Sequence, residues 1–288
     1  MKGGKENDRV LLAHGGGGVM MRELISAVRE SLGSSPESLQ DSAVLDLESP
    51  RIAFTTDSFV VKPLFFPGGD IGHLAVCGTV NDLAVSGARP LYLSLSYIIE
   101  EGFSREDLER ITVSVMKASV EAEVQVVTGD TKVVQRGMAD GIFINTAGIG
   151  IVPEGLNLSS FSARDGDAVI INGSIGDHGL AILSLREGID FGSGLKSDTA
   201  PLNRIIGGLV GRFDGIRCMR DATRGGIAAV LNEIASDSGV SIRIEEELIP
   251  VKDAVRSGCE LMGYEPLHIA NESEFVLIAD QEQAGDIV

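Results

Sequence analysis

The chain has 288 residues, 43% hydrophobic and 23% charged, enough to bury one large core or two moderate ones. A formal net charge of −18 argues against nucleic acid and anionic membrane surfaces as partners. Asp, Gly or Arg breaks every apolar stretch short of a membrane span, and the opening MKGGKENDRV lacks the apolar run of a secretory signal. Three scattered cysteines, Cys77, Cys218 and Cys259, have no metal-ligand spacing and point to reduced thiols in the cytoplasm.

In chain order, a glycine loop at His14–Gly18 precedes an amphipathic helix from about Val19 to Leu32. Strand-like runs at Arg51–Thr56 and Val60–Leu64 lead to a helix from Ile71 to Val85. A β-rich run at Leu91–Ile99 follows. The next helix opens at Ser104, a capping residue with Asp107 in the first turn. Val124–Thr128 and Gly141–Ile151 read as buried strands, and Pro153–Asp167, rich in Ser, Gly, Asn and Asp, as a linker. The pattern then restarts with a strand at Ala168–Asn172, the loop GSIGDHG and a helix at His178–Leu185. Helices at Pro201–Phe213 and after Gly225–Gly226 follow, with strands at Ile216–Met219, Val240–Ile244 and Glu274–Ala279. Alternation in both halves predicts two α/β or α+β domains. The division runs as a glycine loop and helix over 1–40, one domain over 41–155 and a second over 165–288.

The chemistry concentrates in FTTDSFVVKPLFFPGGDIGHLAVCGTVNDLAVSGA, which places Asp57, Asp70 and Asp82 among apolar, small and glycine residues. Isolated carboxylates are costly to bury unless paired, hydrogen-bonded or bound to a cation. A metal held there would carry a phosphate, which suits an acidic protein short of Lys and Arg. Each other motif has two readings. His14-Gly15-Gly16-Gly17-Gly18 is either a loose helix entry or a lid whose N–H groups approach phosphate. Gly129-Asp130-Thr131-Lys132 is either a turn or a ligand-facing strand end. Asp221-Ala222-Thr223-Arg224-Gly225-Gly226 is either a capped helix start with a surface Arg or an anion site. Gly176-Asp177-His178-Gly179 reads as a structural turn or an acid–base pair, and Asn271-Glu272 precedes a strand. Jointly they supply what an ATP site without a P-loop needs, with Mg²⁺ bridging carboxylates to phosphates.

FTTDSFVVKPLFFPGGDIG, LAVCGTVNDLAVSGARPLYLS, TGDTKVV, GDHGLAIL, DATRGG and IANE, running in order from Val10 to Ala279, closely resemble the HypE family of hydrogenase maturation factors. That family lies in the superfamily of aminoimidazole ribonucleotide synthetase, selenophosphate synthetase and thiamine monophosphate kinase. The resemblance implies a two-domain PurM-like fold. Its N-terminal domain would form a β-barrel-like homodimer, and ATP would lie between it and a mixed α/β C-terminal domain. By the same resemblance Asp41, Asp57, Asp82 and Asp221 are Mg²⁺ ligands, not all on one ion. Gly15, Gly16, Gly17 and Gly18 fold over the phosphates, Asn81, Asp130 and Thr131 lie near the nucleotide, and the loop of Asp70 shapes the pocket without touching metal. The implied reaction is ATP-dependent dehydration of a carbamoyl group on the protein's own C-terminal cysteine. Its thiocyanate product supplies cyanide for nickel–iron hydrogenase. Glu272 is the expected base, and Lys132 stabilises transferred phosphate or orients the carboxamide. The carbamoyltransferase HypF is the implied donor and the HypC–HypD complex the acceptor.

One departure stands out. The family's carrier cysteine ends a tail several dozen residues past the IANE strand, whereas this chain stops at Ala284-Gly285-Asp286-Ile287-Val288. It therefore reads as a shortened member that binds ATP without carrying its own substrate, or as a tailless homologue. Ser273, where the family often has glycine, is a smaller departure. The alternatives are a superfamily kinase or synthetase acting on a small molecule, and a non-catalytic partner of the maturation machinery.

Overall fold

The computed structural model describes residues 9–15, 18–33, 51–189 and 194–288. The first half is built on a four-stranded sheet of order β1-β6-β4-β5, with β1 at Ile52–Phe59, β4 at Arg89–Glu100, β5 at Gln125–Val134 and β6 at Ile142–Ile151. A small hairpin, β2 (Phe65–Phe66) and β3 (Gly69–Asp70), leads into α2 (Ile71–Val85). Helices α1 (Gly18–Ser31) and α3 (Arg105–Glu121) complete this half. The second half carries a three-stranded sheet of order β7-β9-β8, from β7 (Ala168–Ile171), β8 (Ile216–Asp221) and β9 (Phe275–Ala279). Around it lie α4 (Asp177–Glu187), α5 (Asn203–Arg212), α6 (Gly226–Ser238), α7 (Asp253–Met262) and α8 (Gln281–Ile287).

α2 is the spine of the molecule. Asp70 caps it by accepting from Gly72 N at 2.7 Å and His73 N at 3.0 Å. That capping role occupies the carboxylate which sequence assigned to the pocket. Nearly every α2 side chain is buried, the mark of a helix covered on all sides. One face packs on the first sheet, where Thr146 Oγ1 donates to Ala75 O at 3.3 Å and meets Thr79 Oγ1. Another face joins the second half: Ala84 and Val85 share a core with Leu202, Ile206, Ile216 and Phe275.

The sheet has one covered and one open face. Leu93, Leu95, Tyr97 and Ile99 of β4 turn inward to the helices, while alternate residues turn out. Ile52 and Phe54 of β1 and Ile98 of β4 stand exposed on the open face.

Three expected elements differ. Val60–Leu64 is not a strand; β1 ends at Phe59, and Pro63 has no N–H to give a ladder. Val240–Ile244 joins no described ladder either, although Val240 and Ile242 pack on the same core as Val169 of the edge strand β7. Gly129–Lys132 is neither a turn nor a strand end: it lies within β5, paired along β4 from Leu95 to Ile98.

Candidate functional site

The first carboxylate, Asp57, sits on the covered face of β1 and is only half-buried. Its Oδ1 accepts from Ser58 N at 2.8 Å and lies 3.8 Å from the Arg224 guanidinium. Gly78 of α2 makes room for it. A Cβ at Gly78 would stand 2.8 Å from the Phe59 ring and 3.7 Å from Asp57 Oδ2, so strand and helix approach this closely only over glycine.

Asp82 comes from the last turn of α2, with Oδ2 accepting from Thr55 Oγ1 at 2.9 Å. Burial pushes its carboxyl up to about 6, and the negative charges of Asp221 and Asp57 push the same way against the Thr55 hydrogen bond. Asp221 closes β8 opposite Phe275. Its carboxyl is also raised, by burial first, with Asp57 adding to the rise and Arg220 opposing it. Asp221 caps no helix: α6 begins later, behind Gly225 in the left-handed region, and no side chain caps it.

Glu272 joins this group from the second half. Asn271, fully buried, ties its segment to the Asp221 turn: Asn271 N and Nδ2 donate to Ala222 O at 3.1 and 3.0 Å, and Oδ1 accepts from Gly176 N at 2.6 Å. Asp198 holds the other side, its Oδ2 accepting from Glu272 N at 3.0 Å and Ser273 N at 2.9 Å. Burial pushes the Glu272 carboxyl up to about 8, with Asp198, Asp221 and Asp57 adding to the rise and Arg224 opposing it. Four carboxylates drawn from β1, α2, β8 and the loop before β9 thus share one electrostatic neighbourhood.

Of the other candidates, Asn81 stays beside that group and those on β5 lie apart from it. Asn81 is no free ligand: Nδ2 donates to Ala200 O at 3.0 Å and Glu272 O at 2.9 Å, and Oδ1 accepts from Leu202 N at 2.8 Å. Its amide is a clasp between the two halves. Asp130 and Lys132 stand on the open face of β5, opposite Ser96 and Ile98. Asp57, Thr146, Leu95 and Gly129 form one row across the sheet, and three strand spacings make that row about 14 Å long. Within one protomer, therefore, Asp130 and Lys132 do not meet Glu272. Thr131 points inward beside Tyr97, equally far along the sheet. Gly15 ends a short 3₁₀ turn and Gly18 begins α1, whereas Gly16, Gly17 and Asp41 lie outside the described residues.

Sequence reasoning missed the Ser197-Asp198-Thr199 strap. His178 Nδ1 lies 2.8 Å from Ser197 Oγ, and Ser197 N donates to Pro67 O at 2.8 Å, so the strap reaches both halves. No local signal marks it, since SDT in a polar loop looks solvated.

Comparison with known proteins follows the same lines. Residues 39–152 match the model for the AIR synthase related protein N-terminal domain, and residues 164–288 that for its C-terminal domain. A Carbamoyl dehydratase HypE from Bradyrhizobium diazoefficiens is 52% identical over 287 residues, covering 98% of this chain and 82% of that protein. The crystal structure of a hydrogenase maturation protein HypE in complex with ATP superposes with a TM-score of 0.93 at 48% identity, covering 96% of this chain and 83% of that one. A structure of a HypE–HypF complex matches with a TM-score of 0.81 at 53% identity, covering 84% of this chain and 79% of the other.

Proposed function

Because the chain belongs to the HypE family of AIR synthase-related proteins, we propose that it is an ATP-dependent carbamoyl dehydratase. It converts a cysteine-borne thiocarbamate to a thiocyanate for the cyanide ligands of nickel–iron hydrogenase. The observation that carries this reading is the shared neighbourhood of Asp57, Asp82, Asp221 and Glu272. The ATP complex of a relative 48% identical supports the nucleotide.

An amide oxygen is a poor leaving group, and a phosphoryl group on it replaces loss of oxide by loss of phosphate. The carboxamide oxygen bonds to the γ-phosphorus as the bond to ADP breaks. The C–O bond then breaks, the third C–N bond forms, and phosphate departs. Both N–H protons leave in the course of this, one to Glu272 and the other to the departing phosphate. Glu272 accepts one in its ionised form; burial, which pushes its carboxyl up to about 8, makes that carboxylate a stronger base and shifts its action toward alkaline pH.

Mg²⁺ suits Asp57, Asp82 and Asp221, hard oxygen donors whose mutual repulsion a cation relieves. Among the described residues no three His, Cys, Asp or Glu side chains form a ready-made metal cage. Mg²⁺ commonly completes its shell with water and substrate phosphates rather than with protein donors alone. Bound there, it would neutralise triphosphate charge. Asp41 and the loop Gly15–Gly18 keep the roles the family implies, a further carboxylate and a cover for the phosphates.

The homodimer forms through the open sheet face, where Ile52, Phe54 and Ile98 would find cover. Asp130 and Lys132, on that face, then serve the nucleotide from the second copy, while Thr131, on the covered face, keeps the place near the nucleotide that the family implies. HypF as donor is supported by the relative's HypE–HypF complex. HypC–HypD as acceptor rests on the family, as does a cytoplasmic location; among the described residues no helix is long and apolar enough to cross a membrane.

The test supplies a peptide ending in S-carbamoylcysteine with MgATP and follows its mass. Loss of one water from the peptide with wild type, and none with Glu272→Gln, is the expected result. ATP turnover driven by a diffusible metabolite, with the peptide unchanged, would instead favour a small-molecule kinase or synthetase.

A further inference from the structure

We infer that His178 is the positioning residue for Glu272: a neutral imidazole that donates its Nε2–H to the Glu272 carboxylate, in a tautomer set by Ser197. This rests on the reading of Glu272 as the base. His178 Nε2 lies 3.6 Å from Glu272 Oε1, just outside hydrogen-bond length. Such contacts are often long before substrate arrives and tighten in the complex. On the other side of the ring, Nδ1 is 2.8 Å from Ser197 Oγ. Thr199 N donates to that oxygen at 3.1 Å, and Thr199 Oγ1 stands 2.6 Å from it. With both Thr199 groups donating, the Ser197 proton goes to Nδ1, and Nε2 carries the ring's N–H.

The two sequence elements that phosphate chemistry leaves unused meet at this ring. Phe66, from PLFFPGGDIG, presents its ring at 89° with centroids 5.7 Å apart. Arg186 Nε donates to Lys62 O at 2.7 Å, tying the GDHG helix to the segment before that hairpin. Asp198, next to Ser197, holds the Glu272 main chain, so one strap seats both the backbone and the side chain of the base.

A charged imidazolium would pair with Glu272 and pull its carboxyl far down, whereas a neutral donor orients the carboxylate and lowers it less. Burial lowers His178, with Arg186 acting the same way and Asp198 opposing. Facing Glu272 are Asp198, Asp221, Asp57 and Arg224, and the buried Cys77 thiol, pushed up by burial, lies within its influence.

Ring-nitrogen NMR of ¹⁵N-histidine protein in alkaline buffer, above the value of about 8 at which Glu272 ionises, with the signal assigned by His178→Gln, tests the contact without turnover. The expected spectrum is a neutral Nε2–H tautomer whose Nε2 signal moves in Glu272→Ala. An Nδ1–H tautomer, an imidazolium, or a signal indifferent to Glu272→Ala overturns the proposal. In the peptide assay, His178→Ala should lower kcat at least about tenfold, with KM for peptide and ATP within about twofold. His178→Gln, whose amide N–H replaces Nε2–H, should recover most of it. Equal loss in both variants, or a rise in KM alone, counts against positioning. Should His178→Ala not fold, Ser197→Ala serves instead and is expected to release the tautomer. Full turnover by Glu272→Gln would sink the base while leaving the NMR contact standing, so the two failures are distinct.

Discussion

Glu274 shows what burial does to one carboxylate here. It is 7% exposed, its Oε2 has no partner, and burial pushes it up to about 8, with Asp198 and Asp177 adding to the rise and Lys252 opposing. The folded protein therefore keeps a proton that the unfolded chain, at its ordinary value of 4.5, gives up. The stability this contributes is complete below the unfolded value and is lost as pH rises through 8. Glu274→Gln is expected to melt about 2–6 °C higher than wild type in alkaline buffer, with the gap closing in acid. Calorimetry across the range checks this, and a gap that ignores pH contradicts it. At this scale sequence shows which side chains are unusual but not what they face. Asp57, Asp82 and Asp221 stand out because each adjoins an apolar run. Asn81 looks like a ligand beside Asp82, yet its partners at Ala200, Leu202 and Glu272 are distant in the chain. Ser197 and Asp198 look solvated and are instead the seat of Glu272.

Helix α2 was the most legible element, since a largely apolar run from Ile71 to Val85 marks it, although its Asp70 cap went unread. Its packing makes a sharp prediction. Gly78→Val would drive a side chain into the Phe59 ring, whose nearest atom is 2.8 Å from even a Cβ. Overpacking of this kind costs about 1–3 kcal/mol. Urea unfolding should report that loss, and MgATP affinity should fall with it as Asp57 is displaced; unchanged stability would mean the ring yields freely. Elements that depend on distant partners were harder to read. Val240–Ile244 has a strand's composition but pairs with no strand among the described residues, and Gly129–Lys132 has a turn's composition but is held extended by β4. Local preference loses to pairing in both cases.

Across the whole molecule, both halves and their order were legible because strands and helices alternate in each. The open sheet face was not, for alternation along a strand does not say whether its outer side meets water or another subunit. Phe54, 66% exposed there, anchors the proposed dimer. Phe54→Asp is expected to yield monomers by analytical ultracentrifugation and to abolish dehydration, because in the proposed dimer Lys132 serves the nucleotide from the second copy. A variant that stays dimeric, or a monomer with full activity, would contradict that arrangement. The carboxylate group from both halves is the centre of the account, and calorimetric titration with ATP tests it most directly. Wild type should bind in Mg²⁺ and lose at least about tenfold in affinity in chelator, with Asp57→Asn and Asp82→Asn each losing a similar amount in Mg²⁺. Equal affinity with and without Mg²⁺, unaltered in both variants, would contradict it.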